Sequence, residues 1–435
     1  MASCFSDQID LTDGKVSKVS LSLASNRTPS NVKYSFIDGP LERSCNRVLY
    51  ESLRRPRLDK FIKCLKVLAL YDRLSSPVAD SFRIIDEISA TVHSAADLVA
   101  SSKLPNNDRP FGIPLLNSDD QLGLSIVYYQ LDLAETENLK KSSDKLQQHS
   151  PASLPSSYSI VYTIRESPKF EYVGTSKYGV RYSKEWLDSD QPSRPLNYRQ
   201  IKWNEPEPLD DAKAEFVLKL NPPVLWPESI SAKLDATLSD VDEHEPIAYR
   251  RLRELTFASF SGQSYLKDGT PQVVNYAMAN VVPCNLSYVS EIPIQKPADL
   301  PEIIQVLRAN ILIVGLLVNL LNFKEELQTN GDDIEFSFAD VLMEADKLED
   351  IPLARNVNIN IIQEEVESSP NLTSLAVEVE ANSRLLKVVP TIAESGGVSL
   401  RGTLVRGELP TEQLVKINRA LSVGEMRIVS LLLIL

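Results

Sequence analysis

Histidine is the side chain that most often supplies a general base or a metal ligand near neutral pH. The chain has three histidines, His93, His149 and His244. No two of them are spaced as metal ligands, and none adjoins a serine or cysteine in a nucleophile-elbow pattern. His93 falls in a stretch with helical apolar spacing, where a partly buried structural histidine is far more common than a catalyst. The histidines therefore predict neither a catalytic nor a metal site.

Two further segments carry weak chemical signals. Residues 260–264, FSGQS, match a nucleophile turn only in part, because the first glycine of that motif is missing. Gly396-Gly397 lacks the lysine and the strand–loop–helix context of a phosphate-binding loop. We predict no catalytic residue and no cofactor. A hydrolase that uses Ser261 or Ser264 with His244 as its base stays open as an alternative, and it requires these residues to meet in the fold.

The cysteines bear on metal binding and on the cellular compartment. Cys4, Cys45, Cys64 and Cys284 include no CxxC pair, and no second ligand cluster completes a zinc site. Cys45 and Cys64 stand in apolar contexts, where a free cysteine behaves as a small hydrophobe. The amino terminus has neither a basic start nor an apolar core, so no signal peptide is predicted. A reducing compartment, nucleus or cytosol, is expected.

The net charge bears on the class of partner. The formal net charge is -13 and the sequence pI is about 5.0. A surface that binds DNA needs a basic field, so no direct nucleic-acid contact is expected. Local basic clusters at residues 54–57 and 250–253 are interpreted as solvated faces or as contacts for an acidic protein partner.

Helical spacing dominates the region from residue 41 to residue 104. Phe61, Leu65, Leu68 and Tyr71 repeat at intervals of three and four, and a similar series runs through the second half of the region. The turn between the two series is short, which predicts an antiparallel helical hairpin. A second helix-rich signal, from Pro297 to Leu327, predicts the strongest helix of the chain.

Strand-like spacing dominates elsewhere. Alternation within residues 121–133, QLGLSIVYYQLDL, predicts a half-buried strand, and shorter strands are predicted up to residue 405. Residues 214–220 are predicted to form a strand that ends at Pro222-Pro223, because proline cannot donate to a ladder. Residues 228–238 are predicted to be helical, with Leu238 on its apolar face.

Together these patterns predict an α+β fold, with a helical hairpin region followed by mainly antiparallel β-rich domains with inserted helices. The predicted division is an N-terminal segment 1–40, a helical region 41–104, a first β-rich domain 105–290 with a linker at 135–157 and a loop at 188–211, and a helix plus second β-rich domain 291–435.

Two apolar stretches are candidates for interaction. Residues 311–321 are shorter than the roughly 20 residues of a membrane span, so a buried helix is predicted and no membrane contact. Leu317, Leu320 and Leu321 fit the LxxLL spacing of helices that dock in grooves, although their apolar context favours a core role. The end of the chain, IVSLLLIL with Leu431, Leu432 and Leu433, is interpreted as a buried terminal element or as the edge of a truncated sequence, and it is also a candidate interaction face.

Three stretches, in this order along the chain, resemble the conserved region of Mediator subunit 1 in its shorter fungal form. They are the hairpin 61–99 leading to the strand LGLSI at 122–126, the segment AEFVLKLNPPVL at 214–225, and the segment 286–321, where a strand ending in Ile-Pro precedes the helix IIQVLRANILIVGLLVNLL. The likeness spans most of residues 41–405.

The resemblance implies a non-catalytic nuclear subunit of the Mediator middle module. Such a subunit has other Mediator subunits as partners and meets RNA polymerase II and activators through the complex. Animal members carry receptor-binding LxxLL boxes in a long tail beyond the conserved region, so receptor docking is not expected at Leu317–Leu321. An assembly subunit should expose an apolar face to its neighbours, and the hairpin 58–99 and the chain end are the candidates. A cytosolic adaptor or trafficking scaffold with β-sandwich domains is the alternative, and its partners would be cytosolic.

Overall fold

The structure is a computed structural model that confirms the α+β prediction. It describes residues 8–13, 17–23, 29–36, 42–54, 58–75, 81–100, 105–118, 121–130, 157–166, 172–173, 179–181, 198, 201–204, 208–209, 214–240, 245, 247–253, 259–265, 271–278, 285–294, 296–321, 355–366, 369–381, 383–393 and 397–422.

The helices and strands alternate in blocks along the chain. The described α-helices are α1 (Glu42–Arg54), α2 (Leu58–Leu74), α3 (Ser81–Ala100), α4 (Glu228–Lys233), α5 (Ile247–Arg253), α6 (Leu300–Leu321) and α7 (Thr411–Ser422). The described strands are β1 (Gln8–Asp13), β2 (Ser17–Leu23), β3 (Pro29–Phe36), β4 (Ile113–Ser118), β5 (Gln121–Gln130), β6 (Ser157–Glu166), β7 (Tyr172–Val173), β8 (Gly179–Arg181), β9 (Lys202–Asn204), β10 (Pro208–Leu209), β11 (Ala214–Pro227), β12 (Thr237–Leu238), β13 (Ser259–Tyr265), β14 (Pro271–Met278), β15 (Leu286–Ile294), β16 (Arg355–Val366), β17 (Ser369–Ala381), β18 (Arg384–Ile392) and β19 (Val398–Arg406).

The first 36 residues contain more structure than their weak pattern predicted. β1, β2 and β3 form a three-stranded antiparallel sheet, and α1 lies against β3. Residues 17–23, SKVSLSL, alternate apolar and polar side chains, which is the period of a strand. The predominance of serine and lysine in this segment obscures that signal.

The helical hairpin consists of α2 and α3. Phe61, Leu68 and Tyr71 of α2 are buried, whereas Leu65 is only partly buried. The link between the helices is held by Ser75, whose hydroxyl donates to the Tyr71 carbonyl (2.8 Å) and accepts the backbone N–H of Ser81 (3.0 Å).

The first large sheet has the strand order β12-β15-β11-β6-β5-β4 and is antiparallel throughout. Alternate side chains of β6, beginning with Tyr158 and ending with Ile164, point into a core shared with α2, α3 and the first half of α6. The hairpin therefore packs against this sheet, and the first core has helices on one side and strands on the other.

The prediction that the strand beginning at residue 214 ends at Pro222-Pro223 is wrong. β11 continues through Pro222 and Pro223 to Pro227. Its pairing with β6 ends at Asn221, and its pairing with β15 shifts register between Lys219 and Val224, so neither proline occupies a paired position.

The helix predicted for residues 228–238 is also shorter than expected. α4 ends at Lys233, because the chain turns at Asp235, where φ is +55°. Thr237 and Leu238 then pair with β15 as β12, and Leu238 is exposed instead of lying on an apolar helix face. The tight turn returns the backbone to the sheet edge, where strand pairing satisfies it.

The second large sheet has the strand order β13-β14-β16-β17-β18-β19. All neighbours are antiparallel except β14 and β16, which are parallel. The predicted boundary between residues 290 and 291 falls inside β15 of the first sheet, while β13 and β14 precede β15 in sequence and belong to the second. The chain therefore crosses between the sheets more than once.

α6 connects the two cores. Its first half, Leu300–Ile311, contributes to the first core, and Ile313–Val318 contribute to the second, which also contains β16–β19 and α7. Residues 297–318 are long and apolar enough to cross a membrane, but 89% of the most apolar window is buried inside the protein. We interpret α6 as a core helix, and the segment 322–327, predicted to extend it, lies outside the described residues.

Candidate functional site

The residues singled out for catalysis do not assemble into a site within the described part of the chain. His93 lies on α3, where its Nδ1 is 2.7 Å from the Ser89 carbonyl; a carbonyl only accepts, so Nδ1–H is the donor. His149 and His244 lie outside the described residues. Ser261 and Ser264 lie on β13, but their side chains are not described. No group of three or more His, Cys, Asp or Glu side chains in the described ranges could hold a metal ion.

Arg308 is the most deeply buried charge on α6, with 1% of its surface exposed. Its Nε donates to the Tyr128 carbonyl (2.6 Å), and one Nη donates to the Arg109 carbonyl (2.7 Å). Burial lowers the pKa of Arg308 to about 10, although Asp108 and Tyr128 oppose the shift. The guanidinium therefore stays protonated at neutral pH, and it fixes α6 to β5 and to the turn at residues 106–109.

The same turn is in close contact with the second sheet. A Cβ added to Gly397, in the β18–β19 turn, would lie 2.6 Å from Oδ1 of Asp108. Ile392, just before that turn, packs against the first core. Burial raises the pKa of Asp108, and the nearby Arg308 lowers it. The two sheets therefore meet at a contact that contains Arg308, Asp108 and Gly397, which we call the inter-sheet contact.

The other buried polar side chains of α6 also bind protein groups. Gln305 Oε1 accepts a hydrogen bond from the Tyr198 hydroxyl (3.2 Å). Asn310 Oδ1 accepts the backbone N–H of Leu375 on β17 (3.3 Å). Gln305, Arg308 and Asn310 lie on different sides of α6, and their hydrogen bonds hold neighbouring elements in place as structural supports.

A group of tyrosines around Glu245 is the most unusual electrostatic cluster. The Glu245 carboxylate is nearly inaccessible and binds Arg253, with a shortest N–O distance of 3.1 Å. Burial raises the pKa of Tyr249 to about 12, and burial together with Glu245 raises the pKa of Tyr288. Phenols with raised pKa values are poor nucleophiles and bases at neutral pH. Both phenols therefore stay protonated at neutral pH, and the cluster packs beside α5.

The two apolar stretches predicted as interaction candidates have different outcomes. Leu317 is completely buried in the second core, so its side chain has no surface for docking. Leu320 and Leu321 lie in the last turn of α6, but their side chains are not described. Leu431, Leu432 and Leu433 lie outside the described residues, and their role stays a prediction.

The exposed face of α2 is the strongest candidate for a docking surface. Leu58 is 65% exposed and Ile62 49% exposed, and Ala69 is exposed in line with them. At about 100° per residue, these three positions fall within about 40° of one another around the helix. Lys63 and Lys66 are exposed on the side of this strip that is away from the core. We call these five residues the α2 face.

Single exposed hydrophobic residues are normal on protein surfaces, but adjacent ones on a helix are informative. The other large hydrophobic residues that are exposed in the described ranges are Leu115, Leu238, Val405 and Val415, each on a different element. α2 carries two. Its face combines an apolar strip with a border of Lys63, Lys66 and the exposed Asp59, and the net positive charge of this border suits an apolar segment with acidic flanks.

The comparison with protein families agrees with the architecture around this surface. Residues 2–322 match the family model described as Mediator of RNA polymerase II transcription subunit 1. The match includes the N-terminal sheet, the hairpin with the α2 face, the first large sheet and α6. No curated protein matches the chain. Because the family match covers well over half of the 435 residues, the chain belongs to the Mediator subunit 1 family.

Proposed function

We propose that this chain is a non-catalytic scaffold subunit of the Mediator middle module. Membership of the family makes it a Mediator subunit that takes part in transcription regulation, a process of the nucleus, and the family is generally non-catalytic. In the proposed role the chain resides in the nucleus and helps the complex to bridge gene-specific activators and RNA polymerase II. The observation that carries the proposal is the family match over residues 2–322.

The α2 face is the proposed contact with a neighbouring Mediator subunit. It lies inside the matched region, and it leaves apolar surface uncovered on a helix whose opposite side is packed into the first core. A partner that covers Leu58 and Ile62 removes this surface from water, at about 25 cal/mol per Å². Leu431–Leu433 are a second proposed contact, on the basis of their sequence alone.

The test is to purify the tagged chain from its own cells at moderate salt and to identify what accompanies it by mass spectrometry. The expected result is near-equal amounts of middle-module subunits. Recovery of the chain alone, or with cytosolic coat or adaptor proteins, would contradict the proposal.

A matched pair of variants locates the contact. Leu58→Ser with Ile62→Ser removes the apolar strip of the α2 face and should reduce the recovery of the other subunits. Val415→Ser removes an equally exposed valine from α7, which lies outside the matched region, and should leave recovery unchanged. Equal recovery for both variants would show that the subunits are held elsewhere.

A further inference from the structure

Two oppositely charged blocks stand out against the composition of the chain. Residues 54–66, RRPRLDKFIKCLK, contain six basic residues and one acidic residue, a net charge of +5, in a chain with a net charge of -13. Residues 331–350, GDDIEFSFADVLMEADKLED, contain eight acidic residues and one basic residue, a net charge of -7. The basic block ends on the α2 face, and the acidic block lies outside the described residues.

The acidic block also carries apolar residues, which are the type of side chain that can cover the exposed apolar strip of the α2 face. Its large apolar residues, all interspersed with carboxylates, are Ile334, Phe336, Phe338, Val341, Leu342, Met343 and Leu348. Interspersed acidic and apolar residues are typical of segments that bind apolar surfaces with a basic border. The α2 face has that composition, with Leu58 and Ile62 beside Lys63 and Lys66.

We propose that residues 331–350 dock on the α2 face of the same chain when no other protein covers it. In this contact the aromatic and aliphatic side chains of the acidic block cover Leu58 and Ile62, and its carboxylates neutralise Lys63 and Lys66. Within the described part of the chain neither lysine has an ion-pair partner. The contact joins two complementary charges and covers the two large exposed apolar side chains of α2.

The length of chain around the acidic block permits this contact. α6 ends at Leu321 and β16 begins at Arg355, so 33 residues (322 to 354) connect them. Such a segment spans at most about 110 Å when extended, so its middle residues, near position 338, can reach out about 50 Å and return, while the two ends of the acidic block stay nearer to Leu321 and Arg355. A compact chain of this size has a radius of gyration of about 22 Å, so the reach of these middle residues is comparable to the distance across the protein. Tethering also raises the effective concentration to the millimolar range, so a weak contact suffices.

The contact would regulate the docking surface. An acidic partner segment would have to displace residues 331–350 from the α2 face, so the free chain would be self-covered and the assembled chain would not. Only this consequence rests on the proposed function, because the contact itself can be measured in the isolated chain.

The experiment is zero-length carbodiimide cross-linking of the purified full chain at low salt, followed by mass spectrometry. The expected result is an amide link between Lys63 or Lys66 and a carboxylate of residues 332–350. The ion pair of Lys219 with Glu291, 3.2 Å apart, is an internal positive control. The α2 links should disappear at about 1 M salt, where the screening length falls to about 3 Å. Absence of α2 links at low salt, with the Lys219 link present, would overturn the proposal.

Charge exchange provides the matched variants. Lys63→Glu with Lys66→Glu changes two exposed positions, so the fold should persist, and the links should be lost. Replacing the acidic residues of 332–350 by lysine in that variant should restore links with reversed roles. Failure of the restored pair to link would contradict a specific contact.

Other occupants give different results. In a mixture of heavy and light isotope-labelled chains, links between the two labels would identify a second copy and overturn the intramolecular contact. Links from Lys63 and Lys66 to another subunit in purified Mediator, without self-links in the isolated chain, would also overturn it. That last outcome would leave the proposed function standing, so the two proposals fail independently.

Discussion

α2 and α6 are both rich in leucine, isoleucine and valine, yet they use these residues in opposite ways. Nearly every side chain of α6 up to Val318 is buried, including Gln305, Arg308 and Asn310. α2 buries one side against the first sheet and leaves Leu58 and Ile62 in solvent. The difference shows that the apolar residues of a helix indicate a docking surface only where no other part of the protein buries them. The LxxLL pattern lies on the covered helix, and the open surface lies on a helix without a recognised motif.

The largest expected effect tests whether the buried charge of α6 is structural. Arg308→Met should lower the free energy of unfolding by about 3–5 kcal/mol, because the carbonyls of Tyr128 and Arg109 lose a charged donor in a buried site. Urea denaturation followed by circular dichroism measures it. Arg73→Met, at an exposed arginine on α2 that pairs with Glu166, is the control and should change stability by less than about 1 kcal/mol. Similar losses for both variants would break the contrast between the helices.

The second prediction compares one leucine from each helix. Leu317→Ala should cost about 2–5 kcal/mol, because it leaves a cavity in the second core. Leu58→Ala should cost less than about 0.5 kcal/mol, because the packed parts of the fold leave its side chain 65% exposed and a weak contact with residues 331–350 adds little stability. Urea midpoints of the two variants, measured side by side, test the difference. A Leu58→Ala loss as large as that of Leu317→Ala would mean that Leu58 is packed as tightly as a core residue, which a weak tethered contact does not provide.

The third prediction concerns the inter-sheet contact beside α6. Gly397→Ala should cost about 1–3 kcal/mol, because the new methyl group would meet the Asp108 side chain. Asp108→Ala removes that obstacle, so the cost of Gly397→Ala should shrink in this background. A double-mutant cycle of unfolding free energies measures the coupling. Additive effects would show that the two turns do not constrain each other.

The smallest effect is a pH dependence near the second core. Burial raises the pKa of Tyr249 to about 12, above its ordinary value of about 10. The folded state therefore holds this proton more tightly, so the stabilisation is complete below pH 10 and is lost as the pH rises toward 12. Tyr249→Phe should match the wild type at pH 7 and lose less stability between pH 10 and pH 12. A steeper alkaline loss in the variant than in the wild type would reverse the predicted sign.

Much of the fold could be predicted from local patterns. The three- and four-residue spacing of α3 and the apolar run of α6 define their buried sides, because a helix repeats every 3.6 residues. β11 was harder, since its prolines are tolerated only where neither neighbouring strand pairs with them, and that depends on register with β6 and β15. The strands β1–β3 differ from the prediction although their sequences alternate, because polar side chains dominate their composition and weaken the apolar signal.

For the candidate site, the sequence by itself determined the charge of the basic and acidic blocks, the helical period of α2 and the absence of a recognisable catalytic motif. It indicated the hairpin as a candidate surface but did not distinguish Leu58 and Ile62 from Phe61 and Leu68, because all four are large and apolar. Only the tertiary structure decided which of them meet the first sheet. The physical reason is that burial depends on residues distant in sequence, whereas helical periodicity is a local property of the backbone.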